Sequence, residues 1–209
     1  MKAVPPKTPR VIQQLFPRRL WRVPDKKETV YLTFDDGPLP EVTPWVLEQL
    51  RSYNAKATFF CIGDNIRKYP ELLEMIVSEG HQIGNHTLNH LKGSNTPLEA
   101  YIQNVKAFEE VCPYPTDLFR PPYGRITGKQ ANAIREMGYT IVMWEVLSFD
   151  WDSRVSPSAC LSNVIDHIEP GSIVVFHDSL KAMKNLKGSL PQVLRYIAKN
   201  NWKLEVLPA

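Results

Sequence analysis

The sequence predicts an α/β fold in which a parallel sheet closes into a barrel. Apolar runs short enough for strands alternate with amphipathic stretches along the chain, which is the pattern of strand–helix–strand units. Seven strand candidates fall at residues 30–34, 58–62, 82–84, 117–120, 140–146, 172–176 and 203–206. Five of the seven run straight into polar motifs. That arrangement suits a closed barrel, where all strand C-termini share one mouth, better than an open sheet. Helical patterns lie between the strands at 43–53, 69–78, 98–110, 128–137, 157–168 and 191–200.

The first strand, Val30-Tyr31-Leu32-Thr33-Phe34, is apolar enough to be buried, and two carboxylates follow it in Asp35-Asp36-Gly37-Pro38. Neighbouring residues on a strand face opposite sides, so the two can serve different roles. Burying adjacent carboxylates is costly unless a metal, a cationic side chain or both share the site. A solvated Asp-Gly turn is the plainer alternative. Gln82-Ile83-Gly84-Asn85 reads as another strand end, and His86-Thr87-Leu88-Asn89-His90 follows it. The spacing puts two imidazoles on one side of a helical turn or across a tight loop. Two neutral imidazoles and one carboxylate, with one position left open, make a catalytic zinc-type site. His81 precedes that strand and His167 sits on a polar helix, and both read as surface histidines.

In Phe119-Arg120-Pro121-Pro122-Tyr123-Gly124, two prolines stiffen a loop that could aim a backbone N–H at an oxyanion. Arg120 carries a fixed fork of donors that suits a carboxylate. Ser148-Phe149-Asp150-Trp151-Asp152 follows the strand 140–146, and Trp151 offers a flat face for a sugar ring or for the core. His177 and Asp178 follow the apolar run 172–176, where a histidine is suited to acid or base work. There is no G-x-S-x-G elbow to suggest a serine nucleophile.

The order of these segments resembles the polysaccharide deacetylase family, also called the NodB homology domain or carbohydrate esterase family four. T-F-D-D-G, H-x-x-x-H, R-x-P-Y, D-W and hydrophobic-x-His appear in sequence from about Val30 to the C-terminus. The resemblance implies a distorted (β/α)7 barrel and removal of N-acetyl groups from N-acetylglucosamine in a glycan of chitooligosaccharide or peptidoglycan type. It implies Asp35 as general base, tuned by Arg120, and His177 as general acid, tuned by Asp150. It implies one divalent metal on Asp36, His86 and His90; zinc suits this set, and cobalt, nickel or manganese also fit. Tyr123 would give its N–H to the oxyanion and its ring to the groove, while Trp151 and Val175 would wall the acetyl pocket. Two positions depart from the family pattern. Leu147 stands where an acid is usual, and Val175 where leucine is commoner. They leave room for a hydrolase of a non-sugar or cyclic amide on the same scaffold, or for a glycan-binding protein without activity.

Composition sets the remaining bounds. At 209 residues and 43% hydrophobic content the chain fits one domain with a sizeable core. Its apolar runs are too short to span a membrane. Residues 1–27 hold eight Lys or Arg and one acid, a local charge of +7 against −4 for the remainder. We read 1–27 as a basic arm whose Leu15, Phe16, Leu20 and Trp21 pack on the barrel's lower end, and 28–209 as the catalytic domain. The arm lacks the aromatic and basic platform that single-stranded nucleic acid uses, and it lacks the apolar region of a secretory signal. Cys61, Cys112 and Cys160 are odd in number without metal-type spacing, which fits core or helix positions in a reducing compartment. Without a secretory signal the expected compartment is the cytoplasm, with export by another route as the alternative, and since nothing marks an interface a monomer is expected.

Overall fold

The computed structural model describes residues 5–24 and 28–208. Lys2, Asp25, Lys26 and Lys27, which contribute to the charge of the arm, lie outside them. Seven strands form one parallel, curled sheet: β1 (Thr29–Asp35), β2 (Thr58–Cys61), β3 (Gln82–Asn85), β4 (Leu118–Phe119), β5 (Thr140–Ile141), β6 (Val146–Leu147) and β7 (Ile173–His177). Their spatial order is β5-β4-β3-β2-β1-β7-β6, and a short β8 (Lys203–Leu204) pairs with the start of β1. With its flanking helices the sheet is a distorted (β/α)7 barrel, as the sequence predicts.

Alternation along β1 sorts its side chains into two layers. Val30, Leu32 and Phe34 join the core under the helices, where Phe34 stacks on Phe59 at 5.1 Å and meets Phe176 at 6.1 Å. Tyr31 points the other way, into an inner cluster with Phe60, Leu118, Val142 and Ile173. Thr33 and Asp35 share that inner face, as do Val175 and His177 on β7, and Asp35 lies in register with His177. The strand period therefore delivers an aspartate and a histidine, far apart in sequence, to the same side of the same mouth.

Three elements differ from the sequence expectation. The single strand at 140–146 is two strands, β5 and β6. The carbonyls of Val142 and Met143 between them accept from the Arg120 guanidinium, at 3.4 and 2.8 Å, instead of from a neighbouring strand. The last helix begins earlier, at Met183, and runs to Lys199 with Pro191 inside it. Gly188 and Pro191 read locally as a break, yet Leu186, Leu190, Val193, Leu194 and Ile197 form a buried stripe that outweighs the backbone penalty. A short helix at Gly63–Lys68 was not anticipated.

The arm fills the seam between the two edge strands. Lys7 pairs with Val146 and Leu20 with Val142, while Arg22 pairs with Ser172 at the foot of β7. Trp21 and Val23 are buried. Leu15 and Phe16 are not: they are 65% and 44% exposed on α1 (Arg10–Leu15) and its C-cap. His81 also departs from its surface reading. It is 7% exposed and its Nδ1 accepts from the Ala57 N–H at 3.2 Å. Burial, then the neighbouring Lys56, pushes its pKa down to about 4. His167 is half-buried just past the helix Pro157–Ile165. All three cysteines are buried thiols. Among the described residues no helix is long and apolar enough to cross a membrane.

Candidate active site

Asp36 lies just beyond β1 with a positive φ of 80°. Several contacts hold its backbone there. The Asn65 amide donates to the Asp36 carbonyl at 2.8 Å. The buried Asp178 carboxylate accepts from the Gly37 N–H at 3.0 Å and from the Thr43 hydroxyl at 2.6 Å. A Cβ on Gly37 would lie 2.0 Å from Asp178 Oδ2, so only glycine allows this approach. Burial pushes the Asp178 pKa up to about 8. The sequence reading noticed Asp178 only as the neighbour of His177; its grip on the Asp36 turn had no local signal.

His86 and His90 come from a loop after β3 rather than from a helix. Asn85 Oδ1 accepts from the Thr87 N–H at 2.8 Å, and Thr87 and His90 take positive φ values of 67° and 59°. The chain thereby folds both imidazoles toward Asp36. His90 Nε2 lies 3.2 Å from Asp36 Oδ1, and His86 Nε2 lies 3.6 Å from it. His86 Nδ1 donates to the Arg120 carbonyl at 2.7 Å, which leaves its Nε2 lone pair facing the cluster. Burial pulls the His86 pKa down to about 4, so the ring is neutral, as a ligand must be. Burial alone would raise Asp36, but the hydrogen bond from His90 beside it and the charge of His177 hold it well below the carboxylate range.

This cluster fits a divalent ion. Its three ligand atoms all lie within 4.8 Å of one another. Tetrahedral bonds of about 2.0–2.1 Å separate ligand atoms by roughly 3.4 Å, between the two Asp36–His distances. Asp36 Oδ1 is buried without a hydrogen-bond donor in good geometry, which is the vacancy a cation satisfies.

Two charged pairs flank the cluster. Arg120 is wholly buried, and its Nη1 donates to Asp35 Oδ1 and to Thr33 Oγ1, both at 2.7 Å. Its guanidinium also lies 4.1 Å from the Phe60 ring centroid. Burial lowers the Arg120 pKa, against the opposing pull of Asp35. Across the mouth, His177 Nδ1 meets Asp150 Oδ1 at 2.8 Å, and the other Asp150 oxygen accepts from the His177 N–H at 2.7 Å. Burial would lower His177, but the Asp150 carboxylate overrides it and raises the pKa to about 9. Ser148 donates to Asp150 at 3.0 Å, and Asn185 holds the Asp150 carbonyl at 3.0 Å. Neither supporting residue was singled out from sequence for this role.

The remaining predicted residues line the rim. The Tyr123 ring is 60% exposed and sits 4.6 Å from the His90 ring. Tyr123 has φ 59°, and among the described residues its N–H donates to no other group. Trp151 lies 4.7 Å from the His177 ring. Val175 is buried beside Leu147, its register partner on β6. The two departures from the family pattern thus form one apolar patch on the inner face below His177. Among the described residues, Asp36, Thr87, His90, Tyr123 and Phe149 account for five of the seven non-glycine residues with positive φ, and the other two are asparagines. Backbone strain in this protein is concentrated at the mouth.

Fold and mouth together define a class first: parallel α/β barrels with a candidate metal triad at the C-terminal ends of their strands. The polysaccharide deacetylase family model matches residues 22–142. The chain is 36% identical over 190 residues to a peptidoglycan-N-acetylglucosamine deacetylase of Bacillus cereus, covering 88% of each protein. It is 34% identical to a chitooligosaccharide deacetylase of Azorhizobium caulinodans, over 84% of this chain and 89% of that one. Among solved structures, the Bc1960 peptidoglycan N-acetylglucosamine deacetylase superposes with a TM-score of 0.85 at 30% identity, covering 96% and 95% of the two chains. A carbohydrate esterase family four pseudoenzyme from Bacillus anthracis, BA3943, superposes at 0.79 and 25% identity, over 94% of this chain and 69% of that one. The chain belongs to the polysaccharide deacetylase family.

Proposed function

We propose that the protein is a metal-dependent hydrolase that removes the N-acetyl group from N-acetylglucosamine residues of a chitooligosaccharide or peptidoglycan type glycan. One observation carries this reading. The Asp36–His86–His90 cluster lies between a carboxylate paired with arginine and a histidine paired with aspartate. A fold shared with both deacetylases and a pseudoenzyme does not decide activity, so the residues in the mouth must.

Asp36, His86 and His90 would hold the ion. When bound, a divalent cation supplies a Lewis acid and lowers the pKa of water toward about 7. Asp35, paired with Arg120 at 2.7 Å, accepts the proton of the attacking water. The Tyr123 N–H faces the oxyanion, a contribution of roughly 3–4 kcal/mol per well-aimed donor. His177 gives its Nε2 proton to the departing amide nitrogen, and Asp150 stabilises the imidazolium that makes this possible. Trp151 offers a ring face to the sugar, and the Leu147–Val175 patch with it forms the apolar wall for the acetyl methyl.

The test is acetate release from N-acetylglucosamine pentamer and from peptidoglycan, with zinc and with chelator. Zinc-restored release is the expected result, with a loss of at least two orders of magnitude after chelation. Turnover of a small cyclic amide with no glycan turnover would replace this reading. Metal content and acetate release measured together separate an empty site from an inactive one.

A pH profile tests the acid. Protonated His177 is available below about 9 and is lost as pH rises through that value. Asp150→Asn removes the main group that raises it, so the alkaline limb of kcat should move down toward the ordinary imidazole value of 6.5. An unmoved limb would remove His177 from the role of acid.

A further inference from the structure

Helix α1 is amphipathic with its apolar side turned outward. At about 100° per residue, Val11, Ile12, Leu15 and the following Phe16 share one side, opposite Arg10, Gln13 and Gln14. A helix packed on a protein normally buries the apolar side. Here no residue of α1 is buried, and it is Gln13 that faces the body, donating to the Thr8 carbonyl at 3.0 Å. Val11, Ile12, Leu15 and Phe16 are 59%, 37%, 65% and 44% exposed.

The face is held in this position from both sides. Before the helix, the Leu147 N–H donates to Pro6 at 2.8 Å and the Thr8 N–H to Glu145 at 2.7 Å. After it, Trp21 Nε1 donates to the Phe16 carbonyl at 3.1 Å and Leu20 pairs with Val142. Lys7 and Arg22 bind Glu169, each at 3.3 Å. The other cations among the described residues of the arm are Arg10, Arg18 and Arg19, and none forms an ion pair with another described residue. Residues 5–24 contain no acid at all.

We propose that this face docks on the surface of an anionic phospholipid bilayer. A short apolar stripe followed by Arg18 and Arg19, with the Arg19 guanidinium 4.3 Å over the Phe16 ring, matches the boundary between acyl chains and anionic headgroups. A second copy of the chain fits poorly. Four side chains are too few for the roughly 800 Å² per partner of a stable interface. A two-fold contact would also bring Arg10, Arg18 and Arg19 against their own copies with no acid of the segment to offset them. The stripe is a single feature of the arm and is independent of the proposed chemistry.

Sedimentation with vesicles tests it. The full chain is pelleted with phosphatidylcholine vesicles, with or without half phosphatidylglycerol, and compared with Val11→Gln/Leu15→Gln and Arg18→Gln/Arg19→Gln. We expect binding to the anionic vesicles only. The first variant should lower the partition coefficient about tenfold or more, because it removes two buried aliphatic side chains. The second should cost about fivefold per arginine. Thermal melting at the wild-type temperature checks that each variant is folded, since both pairs are on the surface. Equal sedimentation of wild type and Val11→Gln/Leu15→Gln would overturn the proposal, and so would equal binding to both vesicle types. Dimerisation abolished by that variant, without vesicle binding, would assign the face to a second copy instead.

Discussion

Asparagine at position 35 is expected to lower acetate release by roughly 10²–10⁴, the range a positioned general base contributes. The substitution keeps the shape of the side chain and an oxygen for Arg120, but removes the basic lone pair that accepts the proton. The candidate metal site consists of Asp36 and two imidazoles, so ion content should stay at the wild-type value. That pairing of results is specific: bound metal with turnover lost. Retention of activity within tenfold of wild type would show that another group takes the proton.

Arg120→Met should have the largest effect on stability. Arg120 is fully buried, and its guanidinium serves Asp35, Thr33, Val142 and Met143 at once. Methionine fills much of the space but leaves the Asp35 charge buried without its partner. Breaking such a pair from one side costs about 3–5 kcal/mol. That is a fifth or more of the roughly 5–15 kcal/mol that holds a domain folded. At about 2–4 °C per kcal/mol for a chain of this size, melting should fall by roughly 6–20 °C. The double variant Asp35→Asn/Arg120→Met should melt higher than Arg120→Met alone, because it removes the stranded charge. If the single variant melts like wild type, the pair carries no net stability. Arg120→Lys is expected to fall between, since one ammonium cannot span four acceptors.

Much of the site is legible in the sequence because a parallel barrel puts chemistry immediately after strands. A reader who finds the apolar runs also finds Asp35, His86, Arg120, Asp150 and His177 at their ends. Supporting residues are harder to find, for a physical reason. Asp178 acts on Gly37, and Asn185 on Asp150, through backbone atoms that carry no residue-type signal. Ser148 lies two residues from Asp150, but a serine there has many innocuous readings. The positive φ of Asp36 and His90 is equally invisible, because neither residue type demands it. His81 was misplaced because histidine is on average half-exposed, and only the packing of Phe59 at 5.4 Å and the Ala57 N–H give this one an interior place. The break at 142–145 and the continuity of the last helix through Pro191 follow the same rule: tertiary partners overrode a local pattern.

The two departures from the family motifs acquire a meaning that sequence could not supply. Leu147 and Val175 lie far apart in the chain yet are register partners on β6 and β7. An acid lost at one and a smaller aliphatic at the other are a single change in one wall, and they should be reverted together when their effect on acyl preference is measured.

The central place of β1 has a further consequence, for biosynthesis. β8 pairs only with its start; along the rest of its length its partners are β2, which follows within some thirty residues, and β7, whose Val174 pairs with Leu32 across 142 positions. At about 5–20 residues per second, a ribosome that has made β1 needs roughly 7–28 s more to make β7. For that interval one edge of β1, a strand buried at every residue, is without its native neighbour, and edges of this kind invite wrong pairing. The base and the acid of the proposed reaction sit on those two strands. The nascent chain therefore completes its mouth only as synthesis nears its end, when β7 slides in beside β1.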